Sequence, residues 1–161
     1  MKRWLFCLIA ALPLHSDFVK ADVFGDAGAA YVKGDFAQVV KLLRPFAEKG
    51  NSEARYKLGV MYDQGQGVAQ DFQEASKWYR LSAEQGKAGA QFNLGLMYAQ
   101  GQGVVQDYVR SHMWLSLAAV QGFSEAQSTR DWLVQWMTPT QIAEAKKMAR
   151  ECKKGNYKNC N

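Results

Sequence analysis

Apolar side chains recur along much of the chain at the three- and four-residue spacing of amphipathic helices. Between residues 52 and 64, Ala54, Leu58, Met61 and Tyr62 fall on one helical face. This spacing predicts a first helix over residues 52–64. A tight loop follows, and Asp71 is the expected N-cap of a second helix. That helix should stop at Gly86, which can take the left-handed conformation that ends a helix.

The same pattern occurs twice in succession. Residues 50–85 align without gaps on residues 86–121, with 17 identities in 36 positions. Repeated helix pairs of this length predict an array in which each unit packs on the next. Gly59 and Gly95 share one place inside the first helix, where glycine costs about 1 kcal/mol relative to alanine. We expect close approach of the second helix to require them, with Trp78 filling the space between the helices.

Paired glycines follow each first helix and raise the question of a phosphate-binding loop. They are Gly65 and Gly67 in MYDQGQGVAQDF, and Gly101 and Gly103 in MYAQGQGVVQDY. Both pairs follow a helix instead of a strand, and the third glycine of a dinucleotide site is missing. No lysine followed by serine or threonine completes a P-loop. Glycine also lets a chain reverse between helices without a Cβ penalty. The sequence therefore predicts a structural hinge and no nucleotide cofactor.

The two units carry the pattern A-x-[YF]-x-L-G-x-x-Y-x-x-G-x-G-V-x-x-D-x-x-x-A-x-x-W, with Ser111 in place of alanine in the second copy. Over residues 52–121 this pattern resembles the Sel1-like repeat (SLR) family, relatives of the tetratricopeptide repeat. In the second copy, Leu115 stands at the position that Tyr79 occupies in the first copy. The resemblance implies an all-α fold, a right-handed α-solenoid of antiparallel helix pairs that forms an SLR-type superhelix.

The repeat weakens on both sides of the two full units, 50–85 and 86–121. Residues 22–49 are predicted to form a degenerate N-terminal repeat whose loop is contracted to Gly34. Pro45 is expected to end or kink its second helix near Arg44. Residues 122–161 are predicted to form a partial repeat and a C-terminal capping helix that starts at Thr138. Such a cap shields the last apolar face of a stacked array.

The first residues predict export. Lys2 and Arg3 precede an apolar run, residues 4–14, that is too short to span a bilayer as a helix. This arrangement is typical of a secretory signal peptide over residues 1–21, with cleavage before Asp22. The alternative is an amphipathic first helix of the fold. Cleavage changes the net charge from +5 to +3, leaves no membrane anchor in the mature form, and predicts a periplasmic or secreted location.

After cleavage two cysteines remain, Cys152 and Cys160, an even number in an oxidising compartment. They are expected to form a disulfide that closes a small C-terminal loop and fastens the cap. A metal or redox pair is the alternative, but the spacing is far from C-x-x-C and His112 is the only histidine of the mature chain. We therefore expect no metal. No basic tract of the kind found in nucleic-acid binders is present, so no nucleic-acid partner is expected.

Sequence motifs for catalysis are missing. The chain contains no Ser-x-x-Lys, Gly-x-Ser-x-Gly or His-Glu-x-x-His, and we predict that it is not an enzyme. The resemblance implies an adaptor or scaffold that binds another protein or peptide. Two alternatives stay open. One is a cell-envelope protein that binds or hydrolyses peptidoglycan fragments or β-lactams, and the other is an inhibitor or immunity protein. The sequence leaves the oligomeric state undecided.

The candidate partner-binding residues come from the resemblance. In tetratricopeptide-like arrays the first helix of each pair lines the concave face. The shared Leu-Gly-x-x-Tyr frame places seven residues of this sequence there: Tyr56, Val60, Asp63, Gln64, Phe92, Leu96 and Gln100. Such an apolar, aromatic strip with a polar rim suits a peptide or a helix. The alternative is that Tyr56 and Phe92 only pack against the neighbouring repeat.

Overall fold

The computed structural model describes residues 15–158 and residue 160, with side chains from residue 23 onward. Most of the predicted signal peptide, residues 1–14, lies outside this part. The described residues form only helices and loops. The helices are α1 His15–Val32, α2 Phe36–Glu48, α3 Ser52–Gln64, α4 Phe72–Ala83, α5 Ala88–Gln100, α6 Tyr108–Ala119, α7 Ser124–Leu133 and α8 Pro139–Lys154, with a 3-10 turn, Val134–Trp136, after α7.

Consecutive helices pack on one another along the chain. The most extensive contacts join α3 to α4 and α5 to α6, the helix pairs of the two full units. Contacts between α3 and α5 show that the first helices of successive units are neighbours. The predicted all-α solenoid of helix pairs with a C-terminal cap is confirmed.

Local capping chemistry sets the helix bounds. The Asn51 side chain accepts a hydrogen bond from the Ala54 amide at 2.9 Å, and α3 then runs to Gly65, which has φ +67°. The Asp71 carboxylate caps α4 by accepting from the Glu74 amide at 3.0 Å. Thr138 and its partner three residues later form a capping box at the start of α8. The first helix predicted over residues 52–64 is confirmed.

The second glycine of each loop contacts the preceding unit. Gly67 has φ +71°, and a Cβ on it would lie 2.3 Å from the Phe36 carbonyl. Gly103 has φ +67°, and its Cβ would lie 2.0 Å from the Phe72 carbonyl oxygen. Each loop therefore crosses the first residue of the preceding second helix with no room for a side chain. The glycine pairs are hinges that also join one unit to the next.

Helix α2 does not end near Arg44, which was one of the two outcomes expected of Pro45. Pro45 lies inside the helix, which continues to Glu48. An internal proline costs about 3 kcal/mol because a backbone hydrogen bond is lost. Tertiary packing offsets this cost, since Ala47 is fully buried and the Phe46 ring lies 6.2 Å from the Phe24 ring.

The capping helix α8 packs chiefly against α6. Because α8 covers one side of the second full unit, some residues of that unit are more buried than the residues one period earlier in the first full unit. Leu117 on α6 is 2% exposed, whereas Leu81, one period earlier on α4, is 38% exposed. At the end of the cap, Cys152 and Cys160 are both buried, and their Cα atoms lie 4.9 Å apart. This separation is within the range that a disulfide requires.

Candidate functional site

An apolar groove lies between the first helices at the N-terminal end of the array. Two cavities of about 310 Å³ and about 200 Å³ share Tyr31, Val39 and Lys57, and together they are called the inner groove. Its apolar walls come from three consecutive helices. They include Phe24 and Tyr31 on α1, Val39 and Leu43 on α2, and Tyr56 and Val60 on α3.

Large apolar side chains at the groove are left uncovered. Tyr31 is 52% exposed and Val32 is 86% exposed. Tyr31 is held in place by its edge-on contact with the Phe36 ring, with the centroids 5.3 Å apart. Since folding drives most such side chains out of water, their exposure beside a cavity marks a surface that can bury a partner.

Tyr56 lies where the groove meets the contact between the two full units. Its ring is 6.1 Å from the Tyr79 ring, and the Lys87 ammonium nitrogen is 5.6 Å from the Tyr56 ring centroid. Gly89 on α5 leaves room for this ring, because a Cβ there would come within 3.2 Å of the Tyr56 Cζ atom. Tyr56 therefore packs between repeats and also lines the groove, so the two alternatives for this residue are compatible.

Two lysines share one carboxylate next to Tyr56. Glu53 forms an ion pair with Lys87 and a second with Lys57, whose ammonium nitrogen is 3.5 Å from the carboxylate. Burial acts to raise the pKa of Glu53. The hydrogen bond and charge of Lys87, together with the charge of Lys57, outweigh it and hold this pKa below its usual value. The cluster of Glu53, Lys57 and Lys87 carries one positive charge in excess.

The other predicted residues are not among those that line the inner groove. Phe92 packs on Phe123 with the ring centroids 4.9 Å apart. Asp63 accepts a hydrogen bond from the Tyr79 hydroxyl at 3.2 Å, and burial raises the pKa of Asp63. Leu96 is half-buried, while Gln64 and Gln100 are exposed at the ends of their helices.

Sequence reasoning missed four exposed apolar residues. Trp132 and Trp136 are each 59% exposed, and their rings lie 6.1 Å apart, edge to face. Trp132 and Trp136 lie two repeat periods after Val60 and Gln64. Continuing the alignment of the repeats beyond residue 121 would therefore have placed both tryptophans at candidate binding positions. Tyr31 and Val32 could be found by aligning the end of α1 with the end of α3. The sequence does not show this alignment readily, because the α1–α2 loop is shorter than the α3–α4 loop.

Candidate metal ligands are not clustered among the described residues. No group of three or more histidine, cysteine, aspartate or glutamate side chains is placed there to hold a metal ion. None of the helices described is long and apolar enough to cross a membrane. His112 is 2% exposed, and burial, with the charges of Arg130 and Lys146, lowers its pKa to about 4. The buried His112 ring also contacts the Ser116 hydroxyl, which lies 3.3 Å from its Nδ1 atom.

Comparison with known proteins identifies the repeat. The family model Sel1 repeat matches residues 52–87 and 88–123. The chain therefore contains two Sel1 repeats. Proteins of this family generally mediate protein–protein interaction, and the SLR fold is typically a non-catalytic interaction module.

Two solved structures of Sel1-repeat proteins are similar to this chain. One is c5321, a protective antigen present in uropathogenic Escherichia coli strains, with a TM-score of 0.78, 29% identity, and coverage of 89% of this chain and 32% of that one. The other is a Sel1 repeat protein from Oxalobacter formigenes, with a TM-score of 0.63, 29% identity, and coverage of 74% and 54%. This chain thus spans about a third of the length of the first protein and about half of the length of the second. No curated protein matches it significantly.

Proposed function

We propose that this Sel1-repeat protein is an exported interaction module that binds a segment of another protein on the concave face of its repeats. The observation that carries the proposal is the inner groove. Val60 and Tyr56 on α3 line it together with Tyr31 on α1. First helices of successive units thereby contribute apolar side chains to one continuous depression.

The shape of the groove suits a protein segment. A few apolar or aromatic anchors that fill pockets supply most of the binding energy in such interfaces. The larger cavity, about 310 Å³, has room for an anchor side chain, and the exposed Tyr31 and Val32 offer a surface beside it. A short helix or an extended peptide can meet these features through side chains at regular spacing.

Export is supported by the first residues of the sequence, where Lys2 and Arg3 precede an apolar run too short to span a bilayer as a helix. Phe24, Ala27 and Ala30 belong to the apolar cluster that α1 shares with α2 and α3. Cleavage before Asp22 shortens α1 and removes none of these three side chains. The test is N-terminal sequencing of the protein recovered from a periplasmic extract. A mature chain that begins at or near Asp22 supports export, and an intact chain found in the cytosol contradicts it.

Site-specific photocrosslinking tests the interaction. A photoreactive amino acid is placed at Val32 or Val60 on the groove side, or at Leu81, an exposed apolar residue on α4. Irradiation in intact cells, followed by mass spectrometry, identifies what lies next to each position. We expect one protein to be crosslinked from Val32 and from Val60 and not from the Leu81 control.

Other outcomes would decide against the proposal. Equal crosslinking from Val60 and Leu81 would show that the groove does not select a partner. The absence of any protein adduct, together with retention of muropeptides or a labelled penicillin by the purified protein, would favour a cell-wall ligand. Circular dichroism of each variant ensures that a loss of crosslinking does not reflect a loss of folding.

A further inference from the structure

We infer that the partner segment is acidic as well as apolar. One of its apolar side chains fills the inner groove, and a neighbouring carboxylate pairs with Lys57 and Lys87. The inference rests on the proposed function and names the chemical class of the partner.

The charges around the groove carry this inference. Among the described residues that line the two cavities, Lys57 is the one charged side chain, and it lines both. Its ammonium group shares the Glu53 carboxylate with Lys87, which lies over the Tyr56 ring. One carboxylate cannot neutralise two ammonium groups. A second carboxylate, supplied by a partner, would complete the cluster directly beside the apolar wall.

The geometry of the apolar and charged parts sets what can bind. The buried Val39 and Leu43 on α2 line the larger cavity, and Lys57 on α3 lines it as well. An apolar side chain and a carboxylate that lie close together on one segment can therefore be bound at the same time. Burial of the apolar side chain supplies affinity, whereas the charge pair supplies discrimination against basic or neutral segments.

The chain's own N-terminal segment does not fit this description. Residues 1–14 are apolar, but they carry Lys2 and Arg3 and contain no aspartate or glutamate. Their charge has the same sign as the excess charge of the Lys57 and Lys87 cluster. An external acidic segment is the complementary occupant.

Two glycines on α1 provide a matched pair of variants. Gly28 lines the larger cavity, and a Cβ on it would meet nothing within 4 Å. We therefore expect the leucine of Gly28→Leu to occupy the groove, since its Cβ meets no neighbour. Gly25 is equally free of neighbours and is not among the lining residues, so Gly25→Leu is the control. Lys57→Glu tests the charge, with Lys41→Glu on the exposed side of α2 as its control.

The experiment selects a random-peptide phage library on the purified protein and measures the affinity of the selected peptides by fluorescence anisotropy. We expect selected sequences to combine an apolar residue with a nearby aspartate or glutamate. Gly28→Leu should weaken their binding by about tenfold or more, because the anchor loses its cavity. Lys57→Glu should weaken it by roughly three- to tenfold at low salt, less at high salt. The two controls should leave it unchanged.

The remaining outcomes separate this inference from the proposed function. One outcome is that the selected peptides lack acidic residues and bind Lys57→Glu and Gly28→Leu as well as the wild type, but do not bind Trp132→Ala. This result would overturn the inference, while the proposed binding on the concave face would stand. Concentration-dependent dimerisation that Gly28→Leu abolishes would show a second copy as the occupant and also overturn it. If the library yields no binding peptide at all, the result contradicts both the inference and the proposed function.

Discussion

The ring of Tyr79 on α4 lies directly against Gly59 on α3. A Cβ added to Gly59 would come within 2.5 Å of the Tyr79 Cδ1 atom. The next unit repeats the relationship, since a Cβ on Gly95 would lie 2.9 Å from the Cγ atom of Leu115. Close approach of the two helices explains why glycine stands inside each first helix. The side chain nearest to Gly59 is Tyr79. Its neighbour Trp78, which the sequence suggested for the space between the helices, packs against the cluster that contains Leu58 of α3.

Replacing Gly59 by alanine should destabilise the protein. Alanine gains about 1 kcal/mol in helix propensity, but overpacking against a rigid, fully buried ring typically costs about 1–3 kcal/mol. We expect the cost of the clash to exceed the gain, so the urea midpoint should fall. The control is Gly25→Ala on α1, where nothing lies within 4 Å of the new Cβ. If Gly59→Ala proves as stable as the wild type, the helices are less tightly held than the structure indicates.

The two glycines of each hinge should differ in their tolerance of substitution. Gly101 and Gly103 both have positive φ, so alanine is strained at either position. At Gly101 the nearest atom to a new Cβ is the Gln106 side chain at 3.3 Å, whereas at Gly103 it is the Phe72 carbonyl oxygen at 2.0 Å. A backbone group cannot rotate away. Gly103→Ala should therefore lower the thermal midpoint more than Gly101→Ala does, and equal effects would contradict the loop contact.

The full units were predictable because their chemistry is local. Helix bounds around residues 52–64 follow from a capping side chain at one end and Gly65 at the other, and the repeat shows each signal twice. The continuation of α2 through Pro45 was not predictable in this way. It depends on Phe46 packing against Phe24, a contact with a different helix.

The candidate site was only partly predictable for the same reason. Tyr56 and Val60 line the groove, as their place in the repeat suggested. Phe92 stands one period after Tyr56, and Phe123 stands one period after Lys87. The Phe92 ring packs on Phe123, whereas the Tyr56 ring lies beside Lys87. Whether the ring at this position packs on a lysine or on a second aromatic ring thus depends on which residue precedes the next first helix. A single unit of sequence does not contain that information.

Loss of the predicted disulfide should destabilise the cap. The two cysteines are separated by eight positions, and closing such a loop stabilises a protein by about 2–3 kcal/mol in the chain-entropy model. The loop also carries Tyr157, whose ring would lie 3.0 Å from a Cβ on Gly86. We expect Cys152→Ser/Cys160→Ser to lower the urea midpoint. A reducing agent should lower the midpoint of the wild type and leave that of the variant unchanged. If it shifts neither, no disulfide forms.

Stability should decrease in mild acid because of His112. Burial, reinforced by the charges of Arg130 and Lys146 and opposed by Asp131, lowers its pKa from 6.5 to about 4. Between these two values the unfolded chain binds a proton at this site that the folded chain does not bind. The free energy of unfolding therefore falls as the pH drops through this window, by up to about 3 kcal/mol.

The variant His112→Gln isolates this contribution. Glutamine keeps a polar group that can contact the Ser116 hydroxyl, which lies 3.3 Å from the His112 Nδ1 atom, but it does not titrate. Urea unfolding is measured for both proteins at several pH values between neutrality and about pH 4. The wild type should lose stability more steeply than the variant below about pH 6.5, since all other titrating groups are common to both. Parallel curves would mean that His112 is protonated in the folded protein and reaches solvent.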